Sequence, residues 1–414
     1  MYSELVFLDK IVKYLDNKFF EKKANAYEGI FDLKVVHHFK NEYLNSEGLI
    51  KEKNKGLYYF AFEEYVDQKV RPFDDSIKNS LELKRFPVSD KEILSLKELE
   101  AILPSSKVNH KLKTDASIIL NTELNRIYIE KWEYIDEISQ KVNGRSYVDF
   151  YKEYFGEIMN FVYSKKKEIL ETLRRKLNEQ SKNYLHPDLN LNSIIRDIEV
   201  TTKEMRLNCN FNQIQILYNS NRFSMYFNYK EQKLFILLKT PKDYIDVLKI
   251  WHEFGHAIHY QNMDNSLSFV FTKLHNLHNM EGIAILYQLL GNKYYNHPLD
   301  YKIYNMMWWA FVEFFSLFEW LNAIKQKNIS DIFMRNLQFI FEKVPTYPCP
   351  IRYFNRGFKS FRYILGLFLA LGISDYLHEN PRISGEYIKE IMYSGGINKN
   401  NELIIKGYQN MVNS

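Results

Sequence analysis

The sequence has few of the residues that would indicate a disulfide-rich, turn-rich or membrane-spanning protein. Its 414 residues include only two cysteines, Cys209 and Cys349, so we expect free thiols in a reducing compartment. Fifteen glycines and ten prolines argue against an all-β fold with many turns. No apolar run is long enough to cross a bilayer, and the first residues lack the apolar core of a signal peptide. We therefore expect a cytoplasmic protein without a membrane partner.

An excess of charge of one sign is also missing. The chain has 56 Lys and Arg against 51 Asp and Glu, a formal net charge of +5, and no long basic block. A nucleic-acid partner is therefore not indicated. Hydrophobic residues make up 46% of the chain, enough to bury one large core or two moderate ones. Apolar residues recur mostly at helical spacing, so the expected fold class is mainly α.

The pattern along the chain predicts helix after helix, with one clear break. Predicted helices cover Asp90–Ile102, Ile119–Val142 and Ser146–Gln180, and predicted loops cover Phe73–Ser80 and Pro345–Pro350. The segment Asn183–Ser193 is rich in Asn and contains Pro187, so it interrupts the helical pattern. We place there the boundary between an N-terminal helical half, 1–190, and a catalytic half, 191–414, of one continuous globular unit.

The segment from Trp251 to His259 contains the pattern His-Glu-x-x-His. On a helix, residues four apart lie on one face, so His252 and His256 can present their imidazoles to one metal ion. Glu253 can then reach a water on that metal and act as its general base. Chance alone produces the pattern in on the order of one chain in fifty of this composition. The alternative is a solvated helix face, and the surrounding sequence has to decide between the two.

The residues before the pattern favour the catalytic interpretation. Arg222–Tyr229 alternates polar and aromatic residues, and Leu234–Lys239 is an apolar run that favours β structure, so a β-hairpin is predicted. Thr240 as N-cap and Pro241 at the first helical position predict a helix that begins at Pro241. A metal site on a helix beside a strand edge suits a hydrolase, because the edge offers backbone groups to an extended peptide.

A catalytic zinc needs a third protein ligand and an open position. The metzincin pattern fails, because His259 and Asn262 stand where its Gly and its last His should be. Glu281 is preferred, since it opens a helical segment that would pack antiparallel to the first helix. A Glu at a helix start can also serve only the helix dipole. Less favoured candidates for the third ligand are Asp264, His275 and His278.

The run Leu234–His259 resembles the core of the thimet oligopeptidase / oligopeptidase F zinc metallopeptidases. That family places a strand, a turn and HEFGHA-type residues in this order, with a Glu ligand about 25 residues after the second His. Glu281 follows His256 by 25 residues. The resemblance, close over about 50 residues, implies a helical prolate body with a deep central channel, a small β-hairpin or sheet beside the motif helix, and Zn²⁺ at the channel floor. It also implies cleavage of short peptides.

The resemblance weakens further along the chain, where the family stabilises the transition state. Its oligopeptidase F branch has a His, a Tyr seven residues on and a second Tyr four further. Aligning Tyr363 with the second Tyr places Lys359 at the first Tyr and Arg352 at the His, and both are substitutions. Cations near zinc can still stabilise an oxyanion. Gln288 stands where the family usually has another Glu.

The basic residues of this region have two other interpretations. They form either a solvated basic face or a site for an anionic group of the substrate. The residues concerned are Arg352, Arg356, Lys359 and Arg362.

Two functions remain open. In the first, a zinc-dependent oligopeptidase uses Glu253 as the base, and Tyr363 with Arg352 or Lys359 holds the oxyanion. In the second, a zinc hydrolase of the same fold acts on one defined peptide or amide, in a tailoring or biosynthetic role. Binding without catalysis is the weakest hypothesis, because it gives Glu253 no role between two ligands. A short peptide is the expected partner.

Overall fold

The computed structural model describes residues 8–15, 30–89, 92–102, 110–178, 189–218, 220, 222–228, 233–264, 266–267, 270, 277–295, 301–322, 329–341, 357–379, 384–393 and 400–413. The principal helices among them are α1 (Leu33–Leu44), α2 (Gly48–Leu83), α3 (Leu96–Ile102), α4 (His110–Asn143), α5 (Tyr147–Phe155), α6 (Glu157–Ser164), α7 (Lys166–Asn178), α8 (Leu191–Glu204), α9 (Tyr244–Asn262), α10 (His278–Tyr294), α11 (Tyr301–Asn322), α12 (Ile329–Ile340), α13 (Phe361–Glu379), α14 (Ser384–Tyr393) and α15 (Asn401–Asn413). The strands are β1 (Arg85–Ser89), β2 (Glu92–Ser95), β3 (Ile214–Leu217), β4 (Ser224–Asn228) and β5 (Lys233–Leu237). The expected mainly α fold with small sheets is confirmed.

The chain forms two compact units. The first contains 1–61, 179–306 and 362–414, and the second contains 62–178 and 307–361. Each unit therefore combines stretches from distant parts of the sequence. This division differs from the two consecutive halves, 1–190 and 191–414, that the break in the helical pattern suggested.

Several helix boundaries differ from the prediction. The predicted loop Phe73–Ser80 is wrong, because α2 continues through it and past Pro72. Val70 and Ile77 on this helix are buried, so packing of its apolar face offsets the hydrogen bond that Pro72 removes. The predicted helix Asp90–Ile102 is correct only from Leu96, since Glu92–Ser95 pairs with β1 as an antiparallel strand.

The long predicted helix Ser146–Gln180 is three helices, α5, α6 and α7. Gly156 separates the first two with a φ of 70°, a left-handed conformation that glycine adopts without the strain of a Cβ. Ile119–Val142 is helical as predicted, within the longer α4. The predicted loop Pro345–Pro350 lies outside the described residues, as does part of the break at Asn183–Ser193.

The sheet that matters for the site has three strands. β4 and β5 form the predicted antiparallel hairpin, in which Met225 lies opposite Ile236. β3 adds to the other side of β5 in parallel, with Ile214 opposite Leu234, so the order is β3-β5-β4. β4 is therefore an edge strand, and its outer backbone groups are not used by the sheet.

One apolar window, Gly357–Leu377, is long and apolar enough to pass as a membrane span by length and composition alone. However, 61% of its residues are buried inside the protein. Leu365, Phe368 and Leu369 on α13 are fully buried. These properties are those of a core helix.

Candidate metal centre

The motif helix α9 begins at Tyr244, three residues later than predicted. The Asp243 side chain is the N-cap, accepting a hydrogen bond from the backbone N–H of Asp246 at 2.9 Å. Because Asp243 caps the helix, Pro241 lies before it and not at its first position. The apolar face of α9 is fully buried through Val247, Leu248, Trp251 and Phe254.

Two glycines let the neighbouring helices approach the motif closely. A Cβ at Gly255 of α9 would lie 2.7 Å from Cα of Ala284 on α10. A Cβ at Gly366 of α13 would lie 2.9 Å from Cβ of Glu281. Real Cβ atoms do not approach Cα or Cβ atoms of a neighbouring helix so closely, so only glycine permits this packing. As a result Glu281, in the first turn of α10, lies against the histidine face of α9.

Three donor atoms converge at this point. Nε2 of His252 lies 3.1 Å from Nε2 of His256, and Oε2 of Glu281 lies 3.5 Å and 3.7 Å from those two nitrogens. Ligands about 2.1 Å from a tetrahedral zinc lie about 3.4 Å from one another. The three distances therefore match a zinc ligand set with one position left open. The donor set, two imidazoles and a carboxylate, is also one that zinc prefers.

One carboxylate oxygen of Glu281, Oε2, supports this interpretation because it makes no ordinary hydrogen bond. Its side chain is 9% exposed, and Oε2 has no hydrogen-bond partner within ordinary distance. A buried carboxylate oxygen left in this way costs free energy, unless a cation occupies the space between it and the two imidazoles. Buried Gln288, about two turns further along α10, also interacts with His252.

Arg362 connects the donor set to Tyr363. Its Nε lies 3.4 Å from Oε1 of Glu281, the oxygen that does not face the histidines. Its terminal nitrogen donates to the hydroxyl of Tyr363 at 3.1 Å, and its guanidinium lies 4.9 Å from the centre of that ring. The predicted site residue Tyr363 is thus brought to the ligand shell through Arg362, whose part the sequence analysis did not identify.

Burial and charge act in opposite directions on the ligand groups. Burial alone would raise the pKa of Glu281, but the contact with His252 and the charges of Arg362 and His256 lower that pKa to about 2. Burial lowers the pKa of His252, whereas the contact with Glu281 and the charge of Glu253 raise it above the usual value. Glu281 is therefore ionised across the physiological pH range, as a metal ligand must be.

Glu253 is positioned by the sheet. Its Oε2 accepts a hydrogen bond from the backbone N–H of Met225 at 2.6 Å, which is one of the outer groups of the edge strand β4. Burial raises the pKa of Glu253 above its ordinary value, while the charge of His252, this N–H and the charge of Arg222 lower it. A carboxylate with a raised pKa is a better proton acceptor than an ordinary surface glutamate.

The remaining predicted residues are placed differently. Lys359 belongs to the second compact unit, where its Nζ lies 3.0 Å from carboxylate oxygens of both Glu63 and Asp67. Arg352 and the rival ligand His275 lie outside the described residues. His278 is buried at the start of α10, and the converging donor set does not include it. Asp264 is also outside that set; it accepts from the backbone N–H of Ser266.

Solved structures with the same fold were found, whereas no protein-family model and no curated protein matches the sequence. PZ peptidase A with an inhibitor superposes with a TM-score of 0.60 at 13% identity, over 97% of this chain and 86% of that one. Metallocarboxypeptidase 1 of Trypanosoma cruzi gives 0.59 at 11% identity, over 97% and 93%. The M32 carboxypeptidase of Deinococcus radiodurans R1 gives 0.56 at 12% identity, over 98% and 89%.

Oligoendopeptidase F structures are also among the similar structures, with TM-scores from 0.50 to 0.58. Identities this low establish the fold and not the reaction. The structural comparisons therefore show that this chain has the thimet oligopeptidase / oligopeptidase F-like fold, at low sequence identity to these structures.

Proposed function

We propose that the chain is a zinc-dependent metallopeptidase that hydrolyses short peptides. The observation that carries the proposal is the triangle of donor atoms from His252, His256 and Glu281, with Glu253 beside it on the same helix. When bound there, a zinc ion supplies a Lewis acid that polarises a peptide carbonyl and makes a bound water more acidic. The similar structures are those of peptidases and carboxypeptidases, which supports a peptide substrate.

The protein's own groups provide the proton transfers. Glu253 accepts the proton of the attacking water and returns it to the leaving amine. The Met225 N–H fixes the position of its carboxylate, and the raised pKa makes it a suitable base. Tyr363, held by Arg362, is the hydroxyl that would donate to the oxyanion.

The alternative is a zinc hydrolase specialised for one peptide or amide. Lys359 supports it, because its ammonium group is paired with Glu63 and Asp67 at a position where the family has a tyrosine hydroxyl. A lysine held in this way does not reproduce the donor that general oligopeptidases use. The two proposals differ in the range of substrates that the enzyme accepts. They share Glu253 as the base and the same three zinc ligands.

A peptide pool separates these outcomes. The zinc-loaded protein is incubated with mixed short peptides beside Glu253→Gln, and products are identified by mass spectrometry. Broad cleavage that Glu253→Gln abolishes, by roughly 10³-fold or more, with zinc content unchanged, supports the peptidase. Cleavage of one peptide class alone supports the specialised hydrolase. The exposed His37→Gln serves as control and should cleave like the wild type. Zinc bound without cleavage of any peptide would overturn the peptidase.

A further inference from the structure

Two lysine side chains of the first compact unit lie over one aromatic ring, that of Phe223. Lys239 Nζ lies 5.0 Å and Lys249 Nζ 5.9 Å from the centre of this ring. Arg222 precedes Phe223 in the chain and is grouped with the two lysines because its charge acts on Glu253. Lys239 follows strand β5. We call Arg222, Lys239 and Lys249 the cationic cluster. It lies within the first compact unit, as does the donor triangle.

Asp246 holds the two lysines of the cluster together. Its Oδ1 lies 3.2 Å from Nζ of Lys239 and 3.3 Å from Nζ of Lys249. The Asp246 side chain is 5% exposed, whereas those of Lys239 and Lys249 are 32% and 40% exposed. One buried carboxylate therefore fixes two ammonium groups that remain accessible from solvent. This arrangement preorganises positive charge for an anion.

The cluster is close to the groups that would act on a substrate. Lys249 lies four residues before Glu253 on α9, so the two share a helix face about 6 Å apart along the axis. Phe223 lies two residues before Met225, whose N–H binds Glu253. The charge of Arg222 also acts on Glu253. Helix α9 thus carries both Lys249 and Glu253, and the segment with Phe223 continues into the strand whose Met225 binds Glu253.

We propose that the cationic cluster binds a carboxylate of the substrate, one or two residues from the bond that is cut. An extended peptide advances about 3.3 Å per residue, so this separation spans the distance between Lys249 and Glu253. The inference rests on the proposed peptidase function and specifies its substrate class. The carboxylate has two sources, the C-terminus of the peptide or an acidic side chain. Arg222 and the lysines recognise both through charge-assisted hydrogen bonds.

Three matched peptides test the preference and separate the sources. One has a neutral sequence with a free C-terminus, one is its C-terminal amide, and one is the amide with Glu in the second position after the scissile bond. We expect kcat/KM of the zinc-loaded protein to be at least about tenfold higher for a carboxylate-bearing peptide than for the plain amide. If only the free acid is preferred, the bound carboxylate is the C-terminus of the peptide. If only the Glu peptide is preferred, it is an acidic side chain.

Variants connect the preference to the cluster. Lys249→Gln and Arg222→Gln should each lower kcat/KM about tenfold more for the preferred peptide than for the plain amide. Lys249→Arg keeps the charge and should retain the preference. Lys233→Gln, at the start of β5 and distant along the strand from Lys239, is the matched control. Thermal unfolding of each variant checks that the fold is intact.

Peptide binding can be measured separately from peptide cleavage. Calorimetry on zinc-loaded Glu253→Gln compares the free-acid, amide and Glu peptides. Tighter binding of a carboxylate peptide, abolished by adding Lys249→Gln, supports the cluster as its site. Equal affinities for all three peptides, or variants that weaken all three equally, would overturn the inference. Absence of cleavage would contradict the peptidase proposal instead, since the binding comparison does not depend on it.

Discussion

The guanidinium of Arg362 lies against the carboxylate of Glu281, with Nε 3.4 Å from Oε1. Oε2 of the same carboxylate faces the two histidines. The two oxygens of one glutamate thus have separate partners, a cation on one side and the metal position on the other. An outer partner of this kind fixes the orientation of a ligand and keeps it ionised.

Removal of this partner should weaken zinc binding. We expect Arg362→Gln to raise the Kd for zinc by about 10- to 100-fold, because Glu281 loses both its orientation and a charge that lowers its pKa. The loss of a nearby positive charge acts in the opposite direction, and we expect the loss of orientation to dominate. Competition with a chromogenic chelator measures the Kd.

The exposed Arg175→Gln on α7 is the matched control for this experiment and should leave the Kd unchanged. Arg362→Lys should give an intermediate Kd, since it keeps the charge and loses the planar fork. A zinc Kd for Arg362→Gln equal to or lower than that of the wild type would contradict the role given to this contact.

The third ligand can be tested against its nearest rival. Glu281→Gln should lose stoichiometric zinc after dialysis, because a neutral amide is a poor ligand and the remaining two histidines do not make a complete site. His278→Gln, three residues earlier on α10, should retain one zinc per chain, since the donor triangle does not include it. Metal analysis by mass spectrometry measures both. Full retention by Glu281→Gln together with loss by His278→Gln would reverse the assignment.

The close packing of α9 on α10 gives a prediction on stability. Gly255→Ala adds a Cβ 2.7 Å from Cα of Ala284, a backbone atom that cannot rotate away. Such overpacking destabilises by about 1–3 kcal/mol, and it should also move His252 and His256 away from Glu281. We expect a lower Tm by calorimetry and a higher zinc Kd. Lys293→Ala, on the exposed side of α10, should change neither quantity. An unchanged Tm for Gly255→Ala would show that the helices separate without cost.

The local parts of this site were predictable from the sequence, because helix spacing and strand pairing are local properties. The hairpin of β4 and β5 and the four-residue spacing of His252 and His256 are of this kind. The helix start was predicted at Pro241 with Thr240 as the N-cap. Asp243, three residues after Thr240, also has a capping side chain, and the sequence does not rank the two candidates.

Contacts between distant segments were not predictable. The parallel addition of β3 to β5 depends on tertiary packing, as does the approach of Arg362 to Glu281 across 81 residues of sequence. Met225 carries no chemical signal in the sequence, because its backbone N–H and not its side chain holds Glu253. The glycines at 255 and 366 were visible in the sequence, but their role appears only once the facing helices are known.

Asp246 makes the stability depend on acid pH. Burial raises its pKa, but hydrogen bonds from the Lys242 N–H, Lys239 and Lys249 lower that pKa below the usual value. A carboxylate whose folded pKa is lowered adds stability above its unfolded pKa of about 3.9, and this contribution disappears as pH falls through the folded value. Asp246→Asn should therefore lower the urea midpoint near neutral pH, by an amount that shrinks as the pH falls below about 3.9.

Urea midpoints of wild type and Asp246→Asn between pH 3 and 7 measure this difference. Asp264→Asn is a suitable control, because the pKa of half-buried Asp264 is also lowered, mainly by hydrogen bonds from Ser266 in its own turn. It should produce a smaller change, since this carboxylate is less buried than that of Asp246 and has Tyr393 as its distant partner in place of two lysines. A gap between wild type and Asp246→Asn that widens as pH falls would show that Asp246 is destabilising in its ionised form. In that case the two lysines would not offset the cost of its burial.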